Sequence, residues 1–142
     1  MPGYWNADDA TTAALRDGWF HTGDAALIDA DGFVTIVDRI KDIIIRGGEN
    51  VYCAEVEAAL CAHPDVVECG VVGVPEEDRG MLVKAFVVLR PGIEADDVKV
   101  KEIQDFTKRQ IAPYKYPRSV EFVDVLPRTA TGKLQRYRLR DR

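Results

Sequence analysis

The 142-residue chain has few cysteines and no long apolar run, and these two features limit the classes of protein to which it can belong. Its three cysteines are odd in number and lack a CxxC spacing, which favours a reducing cytoplasm over a disulfide framework. The longest apolar runs, such as residues 43–45 and 71–74, are far too short to span a membrane. No signal-peptide pattern opens the chain, so we expect none. A composition that is 46% hydrophobic and 30% charged is typical of a globular domain.

Positive charge is scarce in most of the chain and concentrated at its end. Residues 1–107 contain 9 Lys or Arg against 21 Asp or Glu, whereas residues 108–142 contain 10 against 3. The net charge of −5 argues against a nucleic-acid partner, but the basic end could bind phosphate locally. A solvated basic face is the alternative interpretation of that end.

The first forty residues contain a hairpin signal followed by a charged break. An Asp-Gly pair at 31–32 lies between two apolar runs and predicts a β-hairpin of residues 25–28 and 33–37. A short helical pattern precedes it around residues 9–15. The charged stretch at 38–42 indicates a boundary or hinge.

The remainder mixes strands and helices without regular βαβ alternation, which predicts a small α+β domain. Two adjacent glycines at 47–48 predict a tight turn that needs either positive φ or close approach to another surface. Valine-rich and amphipathic patterns predict the other elements: strands at 43–45, 51–52, 66–74, 83–89 and 119–123, an acidic turn at 75–80, and helices at 54–62, 95–110 and near the C-terminus.

Three polar segments contain side chains that could bind a nucleotide. In DGWFHTGD (17–24), the carboxylate of Asp24 could accept hydrogen bonds from a ribose diol, or it could cap a turn. DRIKD (38–42) with GGEN (47–50) could equally be a solvated linker and a turn. In PRTATGKLQR (127–136), Lys133 could reach a phosphate, although it lacks the P-loop pattern and an isolated loop lysine is usually only surface.

Taken in order, GYWN, DGWFHTGD, DRIKD, GGENVY, AEVE and PRTATGK resemble the C-terminal part of the adenylate-forming enzymes. This superfamily comprises acyl-CoA synthetases, peptide-synthetase adenylation domains and firefly-type luciferases. The resemblance covers almost the whole chain and is closest to the acyl-CoA synthetases, or fatty-acid–CoA ligases. It implies that residues 1–38 end a large N-terminal domain and that residues 39–142 form a complete lid.

For that lid, the resemblance implies a short β-hairpin and a roughly three-stranded antiparallel sheet flanked by helices. Residues 1–38 would lack the rest of their β-rich subdomain. We therefore expect them to pack irregularly, to be mobile, or to pair with another copy through exposed strand edges, giving a homodimer.

The resemblance also implies a reaction in two halves. ATP and a carboxylic acid first give an acyl-adenylate and pyrophosphate, and the thiol of CoA then displaces AMP to form a thioester. The lid rotates between the halves. Mg²⁺ is expected with ATP, but its ligands, the phosphate-binding loop and the acyl pocket would lie in the N-terminal domain. The chain alone would therefore be inactive, and its sequence does not identify the acyl group.

The resemblance implies roles for seven residues at the motif positions. The resemblance assigns Asp24 to the ribose hydroxyls of AMP, and Arg39 to the same ribose or a nearby phosphate. Lys41 falls at the hinge. Lys133 would reach the substrate carboxylate and α-phosphate during adenylation, where a cation offsets developing negative charge. Gly47 and Gly48 would form the turn that enters the site during thioester formation, and Glu49 would help to hold it.

Contacts to the nucleotide part of CoA are the least specific of these assignments. Arg79, Lys115 and Arg118 lie where relatives place basic or aromatic residues, and Tyr114 and Tyr116 could stack on adenine. Surface packing is an equal alternative for each. The cysteines are expected to be small buried or partly buried residues, Cys53 stands where a proline is common, and neither His21 nor His63 has partners for a metal site, so no metal ligands are assigned.

Two alternatives keep the residues but change the function. An adenylation domain would load the phosphopantetheine arm of a carrier protein in place of free CoA. The three basic residues of the candidate nucleotide contact weigh slightly against it, because free CoA carries a phosphorylated nucleotide. A stand-alone, non-catalytic module with the lid fold is the other alternative.

Overall fold

A computed structural model describes residues 1–142, which form two compact units, Met1–Lys41 and Asp42–Arg142. The boundary between the units therefore lies three residues beyond the predicted boundary at 38/39. The assignment of the first unit to the end of a larger domain stays a prediction. None of the helices is both long enough and apolar enough to cross a bilayer.

The first unit is a short helix followed by two small antiparallel ladders. Its elements are α1 (Asp8–Ala14), β1 (Leu15–Arg16), β2 (Trp19–Phe20), β3 (Asp24–Ile28) and β4 (Val34–Arg39). The predicted hairpin of β3 and β4 is confirmed. Asp29 closes its turn by accepting hydrogen bonds from the backbone N–H groups of Asp31 and Phe33, at 3.0 and 2.9 Å. The β1–β2 ladder was not predicted, and its Asp17-Gly18 turn has positive φ at both residues.

A single 3₁₀ turn, Ile40–Asp42, leads into the second unit. There β5 (Ile44–Arg46) and β6 (Glu49–Val51) form the predicted hairpin. Its two turn residues, Gly47 and Gly48, have φ of +57° and +86°. Two successive left-handed residues make the tight turn that matches strand twist, and glycine adopts them without strain.

The second unit continues with α2 (Cys53–Cys61), β7 (Val66–Glu76), β8 (Gly80–Leu89), α3 (Asp97–Gln110), β9 (Ser119–Phe122) and α4 (Arg136–Arg140). The α+β class is therefore confirmed. Helix α3 starts two residues later than predicted because the Asp96 carboxylate caps it, accepting from the Lys99 N–H at 2.7 Å.

The three-stranded sheet has the order β7-β8-β9 and differs from the prediction in two ways. The prediction of an all-antiparallel sheet is wrong for its last pair, since β9 runs parallel to β8. A parallel neighbour requires a crossover, and α3 supplies it. The turn predicted at 75–80 is also too long, because Pro75 pairs with Met81 and Glu76 with Gly80, leaving a loop of residues 77–79. Pro75 is tolerated because β7 is an edge strand.

The core lies on both faces of this sheet. Alternate residues of β8, such as Val83, Ala85 and Val87, pack in one cluster with β5, α2 and Ile103 of α3. Phe86 points to the other face and packs with Val72, Leu126 and Leu139. Burial on both faces explains why β7 and β8 are almost continuously apolar.

Candidate functional site

Asp24 and Arg39 are brought together by the register of the first unit's hairpin. Asp24 begins β3, Arg39 ends β4, and the two are paired residues. The Arg39 Nε lies 3.2 Å from Asp24 Oδ1, and Arg39 remains exposed. The backbone N–H of Arg39 donates to Asp38 Oδ1 at 2.7 Å. A carboxylate acceptor and a guanidinium donor thus lie side by side at one end of the hairpin.

The glycine turn of the second unit contacts the loop between β7 and β8. The Gly47 N–H donates to the carbonyl oxygen of Arg79 at 3.0 Å, so two of the predicted thioester-site segments are neighbours. A Cβ added to Gly47 or Gly48 would meet no atom of the chain within 4 Å. Glycine is therefore favoured at these two positions by their positive φ, and not because other atoms of the chain leave no room for a side chain. Glu49 faces Arg46 in the register that closes the turn.

An ion pair between β5 and β7, with its arginine buried, was not predicted. Arg46 of β5 is only 6% exposed, and its Nη2 lies 4.0 Å from Oε2 of Glu76 at the end of β7. This separation allows charge attraction but no hydrogen bond. A charged residue directly after three isoleucines was the available sequence signal.

The segment containing the other predicted CoA contacts is already engaged with the fold. The Lys115 ammonium donates to both carboxylate oxygens of Glu55, at 2.8 and 2.7 Å. This hydrogen bonding raises the pKa of Lys115. Two cations, Lys108 and Arg118, lie over the Tyr116 ring at 4.3 and 4.5 Å from its centroid. Tyr114 is 40% exposed.

Lys133 lies in a loop that its own backbone holds tightly. Its N–H donates to Thr129 Oγ1 at 3.0 Å, and its carbonyl oxygen accepts from the Thr129 N–H at 2.8 Å. Gly132 before it has φ of +83°, and its carbonyl oxygen accepts from Arg128 Nη1 at 2.8 Å. The residue is exposed, so a fixed backbone presents a cation to the surroundings.

Lys41 is the last residue of the first unit and lies within the 3₁₀ turn. In the first unit, the predicted site residues Asp24 and Arg39 form a pair. In the second unit, the predicted site residues are the glycine turn with Arg79, the segment 114–118 and the Lys133 loop. Their proposed ligand contacts stay predictions.

The expectation that His63 lacks ligand-type partners is wrong. Ligand atoms of His63, Asp65 and Glu102 lie within 4.8 Å of one another. However, the Lys99 ammonium lies 2.8 Å from Asp65 Oδ2 and 2.6 Å from Glu102 Oε2. These contacts lower the pKa of Asp65 and raise that of Lys99. Since a cation already bridges both carboxylates, the group does not fit a metal ion.

Two of the three cysteines are adjacent in space. The Sγ atoms of Cys61 and Cys69 lie 3.5 Å apart, although Cys61 is exposed, contrary to the expectation of burial. Burial is the main cause of a raised pKa at Cys69. The buried Cys53 instead donates to the Asp42 carbonyl oxygen at 3.1 Å.

Known proteins identify the family of this fold. Residues 55–133, more than half of the chain, match the family described as "AMP-binding enzyme C-terminal domain". The long-chain-fatty-acid–CoA ligase of Bacillus subtilis (strain 168) is 51% identical over 139 residues, which cover 98% of this chain and 24% of that ligase. The fatty acid–[acyl-carrier-protein] ligase ScoC of Streptomyces coeruleorubidus is 48% identical over 142 residues, or 100% of this chain and 27% of that protein.

A solved structure agrees with these relatives. The o-succinylbenzoate CoA synthetase MenE of Bacillus subtilis, in complex with the acyl-adenylate intermediate OSB-AMP, matches with a TM-score of 0.88 and 39% identity, covering 100% of this chain and 28% of that one. The chain thus spans about a quarter of the length of the relatives that it matches. The resemblance to adenylate-forming enzymes is confirmed, and the chain belongs to the AMP-binding enzyme C-terminal domain family.

Proposed function

We propose that this chain is the C-terminal part of an ATP-dependent acyl-CoA synthetase, in which it acts as the lid over an active site in a larger N-terminal domain. The observation that carries the proposal is the exposed Lys133 on a hydrogen-bonded loop, in a chain of the AMP-binding family. A surface lysine on a fixed backbone can be directed at a phosphate without first ordering the loop.

In the first half-reaction, a carboxylate oxygen of the acid attacks the α-phosphorus of ATP and pyrophosphate leaves. Negative charge accumulates on the phosphoryl oxygens, and the Lys133 ammonium would offset it. The Asp24 carboxylate would accept hydrogen bonds from the ribose hydroxyls, with Arg39 beside it at 3.2 Å.

In the second half-reaction, the CoA thiol attacks the acyl carbon, and AMP leaves as the thioester forms. The turn at Gly47 and Gly48 has no side chain to obstruct a pantetheine arm. Arg79 is exposed next to that turn and is the better candidate for a CoA phosphate, because the charge of Lys115 is already balanced by Glu55. Mg²⁺ would enter with ATP, and we assign it no ligand in this chain.

A chimera tests the role of Lys133. Residues 1–142 would replace the matching C-terminal quarter of the Bacillus subtilis ligase, whose N-terminal part supplies the missing domain. We expect Lys133→Ala to slow ATP–pyrophosphate exchange by about 100-fold, the usual effect of losing one charge-stabilising group. Thioester formation from pre-made acyl-adenylate should stay within about threefold, since the lysine acts in the first half only.

The matched control is Lys101→Ala, which removes another exposed lysine, from α3. It should leave both half-reactions unchanged. Equal loss of the two half-reactions in Lys133→Ala would contradict the assigned role, and an inactive parental chimera would count against the proposed function as a whole.

A carrier protein is the second candidate acceptor, because the ScoC relative is named for an acyl-carrier-protein substrate. Offering the chimera free CoA and a phosphopantetheinylated carrier protein in parallel separates the two. A stand-alone binding module would be indicated by a native gene that encodes only this length, so the upstream reading frame decides that alternative.

A further inference from the structure

The loop that contains Lys133, residues 128–135, begins with Arg128 and is followed directly by Arg136, the first residue of α4. Both arginines are paired with acidic residues of the second unit. Arg128 pairs with Glu68 of β7, and Arg136 with Glu57 of α2. The Arg136 Nη2 lies 2.9 Å from Glu57 Oε1 and 2.7 Å from Oε2, while its Nε lies 3.3 Å from Oε1. We propose that Glu57 is a positioning residue for Lys133, an inference that rests on the proposed function of that lysine.

The Glu57 carboxylate is itself fixed by the core. Its Oε1 accepts a hydrogen bond from the backbone N–H of Val71 at 2.9 Å, and Val71 is fully buried in β7. The side chains of Glu57 and Arg136 are only 19% and 21% exposed. A forked arginine–carboxylate contact with little solvent access is the strong, directional kind of ion pair. The position of Arg136 is therefore set by the central sheet.

The chain between Arg136 and Lys133 has little freedom to absorb a shift. Leu134 forms a β-bridge with Arg128 and lies against Gly70, where an added Cβ would come within 3.0 Å of Leu134 Cδ2. Gly70 thus permits close packing of the loop's end on β7. Leu134 packs on β7 and Arg136 is paired with Glu57 of α2, so these two residues set the position of Lys133.

The ion pair between Arg128 and Glu68, at the other end of the loop, is weaker than the pair between Arg136 and Glu57. Arg128 and Glu68 are 42% and 30% exposed, and exposed ion pairs contribute little. On losing Glu57, Arg136 would also be drawn towards Asp42, whose Oδ2 lies 3.8 Å from Nη1. Glu57 is therefore the side chain whose loss should displace Lys133 most.

Glu57→Gln in the chimera tests the proposal, because glutamine keeps the shape of the side chain and removes its charge. We expect adenylation to fall by about 10- to 100-fold, as misplacement of a reacting group by about 1 Å does. Thioester formation from pre-made adenylate should stay within about threefold. Arg136→Lys, which keeps the charge but loses the fork, should give a smaller loss of adenylation.

The matched control is Asp65→Asn, which breaks the Lys99–Asp65 pair, whose exposures of 16% and 24% are close to those of the Glu57–Arg136 pair. A merely structural effect would make the two variants alike. If Glu57→Gln and Asp65→Asn change the ratio of the adenylation rate to the thioester-formation rate by the same factor, the positioning role is wrong.

Hydrogen exchange in the 142-residue chain gives a readout that needs no activity. The N–H groups of Thr129, Gly132 and Lys133 are bonded within the loop. Glu57→Gln should speed their exchange by about tenfold or more through local opening, while β8 stays protected. If β8 loses protection as well, Arg136→Lys serves as the test variant.

Unchanged exchange at the loop would overturn the inference even if the chimera is active. Conversely, the parental chimera could be inactive while Glu57→Gln still speeds hydrogen exchange in the loop. That result would contradict the proposed function but would support the role of Glu57 in holding the loop. The two proposals can therefore fail separately.

Discussion

The two units of the chain contain similar hairpins but differ greatly in how far their apolar side chains are buried. All 17 buried apolar residues lie in Asp42–Arg142, where both faces of the sheet are covered. In Met1–Lys41 no apolar side chain is buried, and Trp5, Trp19 and Phe33 are 92%, 75% and 73% exposed.

This contrast shows that local sequence signals can specify a hairpin without making it stable. Turn chemistry at Asp29 and at Gly47-Gly48 forms an antiparallel ladder in each unit, because such hydrogen bonds need only neighbouring residues. A two-stranded ladder without a second layer is at best marginally stable in water. The second unit has the additional layers that such a ladder lacks, because other elements cover both faces of its sheet.

The largest expected difference between the units is in backbone protection. We expect amides of β3 and β4 to exchange at least about 1,000-fold faster than the central amides of β7 and β8, since local opening is nearly free in one case and approaches global unfolding in the other. Hydrogen exchange of the 142-residue chain measures this directly. Equal protection of the two ladders would show that the first unit has a stability that its exposed side chains do not explain.

A pair of matched phenylalanine substitutions tests the same comparison by stability. Phe86 is fully buried and Phe33 is 73% exposed. Phe86→Ala should lower the free energy of unfolding of the second unit by about 3–5 kcal/mol through lost burial and a cavity. Phe33→Ala should change that free energy by less than about 0.5 kcal/mol. Urea unfolding followed by circular dichroism provides the values, and similar losses would contradict the division of the core.

The smallest expected effect concerns ion pairs. Lys99 lowers the pKa of Asp65 below its ordinary 3.8, so the pair stabilises the second unit above that pH and loses its effect as pH falls through the lowered value. The pKa of Lys99 is raised above its ordinary 10.5, so the effect persists at neutral pH and is lost only as pH rises through the raised value.

We therefore expect Asp65→Asn to lower the urea midpoint at pH 7, with the difference from the parent chain shrinking as the medium becomes strongly acidic. Asp24→Asn in the first unit should change the midpoint less at pH 7, because its partner Arg39 is 58% exposed. A difference for Asp65→Asn that grows on acidification would contradict the assigned coupling.

Much of the second unit was predictable because its signals are local. Adjacent glycines indicated the tight turn, valine-rich runs indicated β7 and β8, and apolar spacing indicated α3. Two of the errors share a cause in long-range pairing. The direction of β9 and the grouping of His63 with Glu102 depend on contacts between distant residues, which leave no periodic trace. The extension of β7 past Pro75 is a local error, because Pro75 pairs with the nearby Met81 across the hairpin loop.

Contiguous motifs such as DGWFHTGD and PRTATGK identify the family without knowledge of the fold. The partners of the candidate residues, in contrast, depend on how distant parts of the chain pack together. The tertiary structure places Glu55 against Lys115 across 60 positions and Glu57 against Arg136 across 79. Whether a cation is balanced by a neighbour or presented at the surface, as Lys133 is, depends on such distant packing, and identical residue types in a sequence do not reveal it.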